Sequence, residues 1–240
     1  IVFNIFFNFY ILIYLFYYKI IIKIIIILLI NQMKKQIIKF PSFKKYKKDE
    51  FFMGYISALK ETLDQLDYKK IKIISDIIFK IIKNKKQIFV AGNGGSSAIA
   101  NHFLCDFNKG IKESSKKKLK PKIISLSSSV ESITAISNDI NFNEIFTYQV
   151  ENYSTKDDLI LLFSCSGKSK NIINLLNYSL KNKIKVIYIT GFLSKKIVKK
   201  NMIHLNLNCK NYGITEDVFS SLMHLVSQYI RFKYSKKEIL

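Results

Sequence analysis

The stretch at residues 88–106, IFVAGNGGSSAIANHFLCD, most restricts the folds open to this chain. It reads as a short apolar strand (Ile88, Phe89, Val90), a glycine turn (Gly92, Asn93, Gly94, Gly95) and a helix opening on Ser96 and Ser97. Glycine accepts positive φ and leaves its N–H uncovered. A helix that opens there aims unpaired N–H groups and the positive end of its dipole into the turn. An anion, most often a phosphate, is the natural occupant. His102 and Asp106 follow, four residues apart and so on one helix face. An anion cradle beside an imidazole and a carboxylate is an active-site layout.

From Gln87 onward the strand–turn–helix unit repeats. Residues 109–120 are polar and Lys-rich, hence a surface loop. Residues 122–126 (KIISL) form a second strand, followed by three serines and a helical pattern over 130–153 that breaks near 138–141. Residues 158–163 (DLILLF) are an unbroken apolar run, as in a strand covered on both faces. That strand ends in SCSGKS (164–169), and a helix follows to Leu180. Residues 185–190 and 203–207 are a fourth and a fifth strand, and residues 216–234 a final amphipathic helix. The alternation predicts an α/β fold with a five-stranded parallel sheet, flanking helices and right-handed crossovers. Ligands of such sheets bind at the carboxyl ends of the strands, where both glycine–serine turns lie. Upstream, residues 49–83 carry Phe52, Tyr55, Ile56 and Leu59, then Ile71, Ile74, Ile78 and Ile81, at helical spacing. They predict an N-terminal helical segment of two helices, broken near 68–70, that serves as a cap or a subunit interface.

Three cysteines (Cys105, Cys165, Cys209) without short spacing argue for a reducing, cytoplasmic setting and against a disulfide framework. The formal charge of +22 suggests nucleic acid or an anionic surface when taken alone. Yet the basic residues are nearly all Lys, spread through a chain equally heavy in Ile, Asn, Phe and Tyr. That is a drift in composition leaving a solvated cationic surface, and no nucleic-acid partner is expected.

Residues 1–32 hold almost only Ile, Phe, Tyr, Leu and Asn, with Lys19 and Lys23 as the only charges. One reading is a membrane segment, which needs roughly 20 apolar residues. Lys19 near its middle would cost about 2.5–3.5 kcal/mol. The other takes Met33 as the start and the upstream residues as an apolar leader translated in error. The second fits better, and membrane attachment follows only if residues 1–32 belong to the protein. Residues 33–48 read as a Lys-rich linker, and 49–235 as the folded domain.

AGNGGSSAIANHF, then SNDINFNEIF (137–146), SCSGKS and KVIYITG, in this order and spacing, resemble the sugar isomerase (SIS) domain family. Within it the likeness is to phosphoheptose isomerases, which convert sedoheptulose 7-phosphate to a heptose 7-phosphate. The resemblance implies a flavodoxin-like SIS fold and a homotetramer with active sites between subunits. It also implies a metal site, usually zinc, built by the first motif helix and the C-terminal helix. On this likeness His102, Asp106, Glu216 and His224 are the metal and catalytic positions. Ser96, Ser164, Ser166 and Ser169 contact the phosphate, with Asn93 and Gly94 close by, and Asn138 and Asp139 line the sugar pocket.

Two residues depart from the family pattern. Asp106 stands where the isomerases carry Glu, and Glu216 where they carry Gln. Asp217 lies seven residues before His224, nearly on its face, so either carboxylate could turn to the site. Aldose–ketose isomerisation moves a proton between adjacent carbons through an enediol and needs a base, with an acid or a metal for the oxygen. Two imidazoles and two carboxylates suit zinc. Asp106 serves as base and His224 as acid, or both join His102 as ligands. His204 and Cys165 read as structural, Cys105 as a small core residue, and Leu222, Leu225, Val226 and Tyr229 as a core or interface stripe. A non-catalytic SIS protein that binds a partner, of the replication-initiator-associating type, is the alternative. The Walker spacing is absent, which disfavours nucleotide hydrolysis.

Overall fold

The computed structural model describes residues 50–192 and 197–235, together with Tyr17, Tyr18 and Ile21. The chain divides into two units, Ile1–Ile38 and Lys39–Leu240, and the sheet lies in the second. Apart from those three residues, the apolar leader and the Lys-rich linker fall outside the described residues. Among the described residues no helix is long and apolar enough to cross a membrane.

Two helices come first, α1 (Glu50–Asp64) and α2 (Tyr68–Lys83). The break between them falls slightly earlier than the sequence suggests, because Asp67 accepts from the Lys70 N–H at 2.9 Å and caps α2. The Ile71, Ile74, Ile78 and Ile82 side chains form the buried face of α2. Then follow β1 (Gln87–Ala91), α3 (Gly95–Cys105), β2 (Lys122–Ser125), α4 (Val130–Asp139) and α5 (Thr147–Tyr153). The rest is β3 (Leu159–Ser164), α6 (Lys170–Lys181), β4 (Lys185–Thr190), β5 (Met202–Asn206) and α7 (Tyr212–Ser235).

The five strands are parallel, in the order β2-β1-β3-β4-β5. This is the flavodoxin-like order the sequence led us to expect. β3 is buried along its whole length. On one face Phe89, Ile160, Leu162 and Tyr188 meet Leu175 and Leu176 of α6 and Val150 of α5. On the other, Leu161, Phe163 and Ile189 meet Ile74 and Ile78 of α2, Phe103 of α3 and Leu222 of α7. The buried Asp158 carboxylate accepts from the backbone of Gln87 and Thr155, at 2.8 and 2.7 Å, and so fixes the start of β3 beside β1. Strand order reverses between β1 and β3, and the crevice beyond their carboxyl ends is where such sheets bind ligands.

The loop expected over 109–120 is shorter than that. The chain leaves α3 as a π-helical segment, Asp106–Ile111, and closes with one more α-turn, Lys112–Ser114. Phe103, Phe107 and Ile111, four apart, are buried, and the first two rings stack at 3.9 Å. Asn108 donates to the Ile123 carbonyl and accepts from its N–H, both at 3.0 Å, which ties the segment to β2. α7 begins four residues ahead of its expected start. In the C-terminal stripe Leu222 and Val226 are core, whereas Leu225 is exposed.

Candidate active site

The two glycine–serine turns meet at the switch between β1 and β3. Gly94 caps α3 at φ +55°, a conformation that L side chains rarely adopt. Ser127 binds Gly92 in both directions, accepting from its N–H at 3.4 Å and donating to its carbonyl at 2.9 Å. Ser164 accepts from the Gly167 N–H at 3.1 Å, and Ser166 from the Lys168 N–H at 3.2 Å. Ser169 is the N-cap of α6 and makes no side-chain capping bond. The turns are joined by a pair of amides. Asn93 donates to Asn171 at 2.9 Å and Asn171 donates back at 3.0 Å. Asn171 is buried and also accepts from the Ile172 N–H. Sequence reasoning missed Asn171. The sequence placed Asn93 near the phosphate, and its amide is committed to this clamp.

Ser96 is buried under the first turn, its hydroxyl 3.7 Å from the Cys165 sulfur. The Cys165 thiol donates to Glu216 at 3.6 Å. Burial pushes this thiol up to about 12, with the neighbouring Glu216 charge adding to the effect and Ser96 opposing it. Cys165 is therefore a neutral donor, not a nucleophile. The Glu216 carboxylate lies against Gly95, where a Cβ would collide with it. It sits at the positive end of α3, a favourable seat for a carboxylate.

Further along the same two helices, α3 and α7 bring His102, Asp106 and His224 together. His102 Nε2 lies 3.6 Å from one Asp106 oxygen, and His224 Nε2 lies 3.7 Å from the other. The two imidazoles meet edge to face, 5.0 Å between centroids. One donor atom from each residue can be chosen so that all lie within 4.8 Å. Side chains at 47, 44 and 25% exposure for His102, His224 and Asp106 leave the group open to solvent. The separations exceed hydrogen bonds. Donors about 2.1 Å from one tetrahedral zinc stand roughly 3.4 Å apart, so the donor set and its spacing fit such an ion. Asp106 opens the π-helical segment, and π-turns recur at functional sites.

Glu216, expected as a fourth ligand, is not in this group. It precedes His224 by eight residues, which on a helix is roughly 12 Å of rise and 80° of rotation. Its carboxylate is turned to Gly95 and Cys165 instead. Asp217 accepts from the Tyr55 hydroxyl. Burial first and that carboxylate second push the tyrosine up to about 12. Asn138 and Asp139 end α4, both exposed, and bond to each other at 2.8 Å. His204 is structural: Thr190 and the Ile197 N–H hold its ring at 2.8 and 3.3 Å. Cys105, expected in the core, is exposed, because its place on α3 turns it away from the buried Phe103.

A parallel sheet in this order, with two glycine–serine turns at its switch point and a His–Asp–His group on adjoining helices, defines an α/β protein of the flavodoxin-like kind. The SIS domain model matches residues 51–191, and the chain belongs to that family. Phosphoheptose isomerase of Helicobacter pylori strain P12 is 34% identical over 122 residues, 51% of this chain and 62% of the relative. The chain thus spans less than two thirds of that relative's length. Phosphoheptose isomerase of H. pylori strain Shi470 is 30% identical over 186 residues, 78% of this chain and 95% of the relative. Among solved structures, a phosphoheptose isomerase from Francisella tularensis superposes with TM-score 0.69 at 26% identity, covering 77% of this chain and 96% of that one.

Proposed function

We propose that this chain is a phosphosugar isomerase that interconverts sedoheptulose 7-phosphate and heptose 7-phosphate. One observation carries the reading: Asp106 stands between His102 and His224, with an oxygen turned to each, at the end of the helix that leads out of the first glycine turn. A long-chain sugar phosphate suits this layout, with its phosphate at the turn of Ser164, Ser166 and Ser169 and its carbonyl at the histidines.

The Glu216 carboxylate already occupies the head of α3, so the phosphate seat is the turn of Ser164, Ser166 and Ser169 at the head of α6. Ser169 has its hydroxyl free of any capping bond there. Asn93 and Gly94 shape the opposite wall. Asp106 takes the proton from C1 of the ketose while His224 gives one to the C2 oxygen, forming the enediol. Loss of the O1 proton and delivery of a proton to C2 complete the aldose. In the other arrangement His102, Asp106 and His224 would together hold a zinc ion, which as a Lewis acid would polarise the substrate carbonyl in place of the His224 proton. Each Asp106 oxygen faces a different imidazole, so one can serve an ion while the other serves the proton.

The SIS domain is read as residues 49–235. Assembly as a homotetramer is supported by Phe52, Met53 and Ile56, apolar residues exposed on α1, and by the openness of the His–Asp–His group. A cytoplasmic setting is supported by three free cysteines. The partner-binding alternative explains no feature of the His102–Asp106–His224 group. Purified full-length chain, assayed on sedoheptulose 7-phosphate with and without added zinc, tests the proposal. Heptose 7-phosphate should form and should be lost in His224→Ala. No product from the wild-type chain under either condition would reject it.

A further inference from the structure

Of the 39 Lys and Arg residues in this chain, one is arginine: Arg231 on α7. It lies two helical turns beyond His224, on nearly the same face. Gly110 lies one turn beyond Asp106 on the facing helix, on the same face as His102 and Asp106. The two meet. The Arg231 guanidinium is laid over the Gly110 Cα so closely that any side chain at 110 would collide with its Nη2. Gly110 is thus the opening through which α7 passes a cation to the end of the His–Asp–His line.

Among the described residues Arg231 makes no ion pair, and its Nε is buried without a hydrogen bond. One turn back, between His224 and Arg231, the Ser227 hydroxyl is buried and likewise unpaired. Buried donors are nearly always satisfied in folded proteins, so two on one stripe call for an acceptor that the described residues do not supply. A guanidinium also offers what lysine cannot, a planar fork for two oxygens at once. Asp106 and Gly110 lie four residues apart on the π-helical segment, just under one of its turns, which places the fork within reach of a group held at Asp106.

Building on the isomerase reading above, we infer that Arg231 is a further substrate-contacting residue. Its guanidinium holds the vicinal C1 and C2 oxygens of the ketose phosphate at the end of the site away from the phosphate. These oxygens carry the charge that develops as the C1 proton leaves, so a fixed cation there favours the enediol-like transition state over the bound ketose. Gly110 acts by leaving room for it.

The test uses the full chain and three variants, Arg231→Lys, Arg231→Gln and Gly110→Ala, each checked by thermal melting. Two quantities are read: kcat/KM for sedoheptulose 7-phosphate and the inhibition constant of inorganic phosphate. All three variants should lose about tenfold to a hundredfold in kcat/KM with phosphate inhibition unchanged, because the phosphate seat is at the far turns. Lysine should recover only part of the loss seen with glutamine. Unchanged kcat/KM in Arg231→Gln would overturn the inference, as would equal losses in turnover and phosphate inhibition, which mark a general distortion. If the wild-type chain itself shows no turnover, the isomerase reading has failed and this inference falls with it, a result distinct from a failure confined to the variants.

Discussion

Asp106 and His224, on helices far apart in sequence, stand 3.7 Å apart, carboxylate oxygen to Nε2. Neither helix builds the group alone. α3 and the π-helical segment that continues it supply His102 and Asp106, four residues apart, and the packing of α7 alongside adds the second imidazole.

Asp106→Asn keeps the shape of the side chain and removes its basicity. Isomerase kcat should fall by about 10²–10⁴-fold, with zinc content lowered and thermal stability nearly unchanged. Elemental analysis and initial rates on the same preparation check this.

Gly95→Ala drives a methyl into the Glu216 carboxylate. Overpacking of this kind costs about 1–3 kcal/mol. The double variant Gly95→Ala/Glu216→Ala should recover much of that, because the obstructing group is gone. Urea unfolding of the two single variants and the double variant gives the coupling directly.

Asn171→Ala leaves the Asn93 amide without its buried partner. The loss should be about 1–3 kcal/mol, and inorganic phosphate should inhibit more weakly as the two turns separate. Equal phosphate inhibition in variant and wild type would show that the clamp does not shape the seat.

The thiols should separate by reactivity. Cys105 is exposed, while Cys165 and Cys209 are buried. Cys165 is further protected by a pKa pushed to about 12. A thiol-titrating reagent at pH 8 should consume one equivalent quickly and the remaining two only on unfolding.

His204 makes stability depend on pH. Burial, and secondarily the charge of Lys70, hold its pKa below the ordinary histidine value. The unfolded chain therefore binds the proton more readily. The stability that the neutral ring contributes is complete above the unfolded value of about 6.5 and is lost as pH falls through the folded value. The other acceptors and donors around the ring are Thr190 and the Ile197 N–H, neither of them titratable here. Urea midpoints at pH 7.5 and 5.5 should differ more for the wild type than for His204→Gln.

The strands and both turns were legible because a parallel sheet writes itself as apolar runs closed by glycine and serine, whereas the flavodoxin-like order of the strands came from the family likeness. His102, Asp106 and His224 were legible from helical spacing and from the family likeness. The π-helical segment was hidden by lysines, although the Phe103, Phe107, Ile111 period lay beneath them. The Asn93–Asn171 clamp had no signal, since it joins two turns distant in sequence. The direction of Glu216 could not be read either. A helix wheel gives a bearing, and here the vacancy at Gly95 and the thiol of Cys165 settle where the carboxylate goes.

Proton transfer at C1 is the step that the proposed function assigns to Asp106. Sedoheptulose 7-phosphate incubated with the chain in deuterium oxide, followed by proton magnetic resonance, observes that step without waiting for net product. One C1 proton signal should fade through exchange, at a rate that collapses in Asp106→Asn. An undiminished C1 signal with the zinc-loaded wild-type chain, or equal exchange in the Asp106 variant, would contradict the assignment of the site.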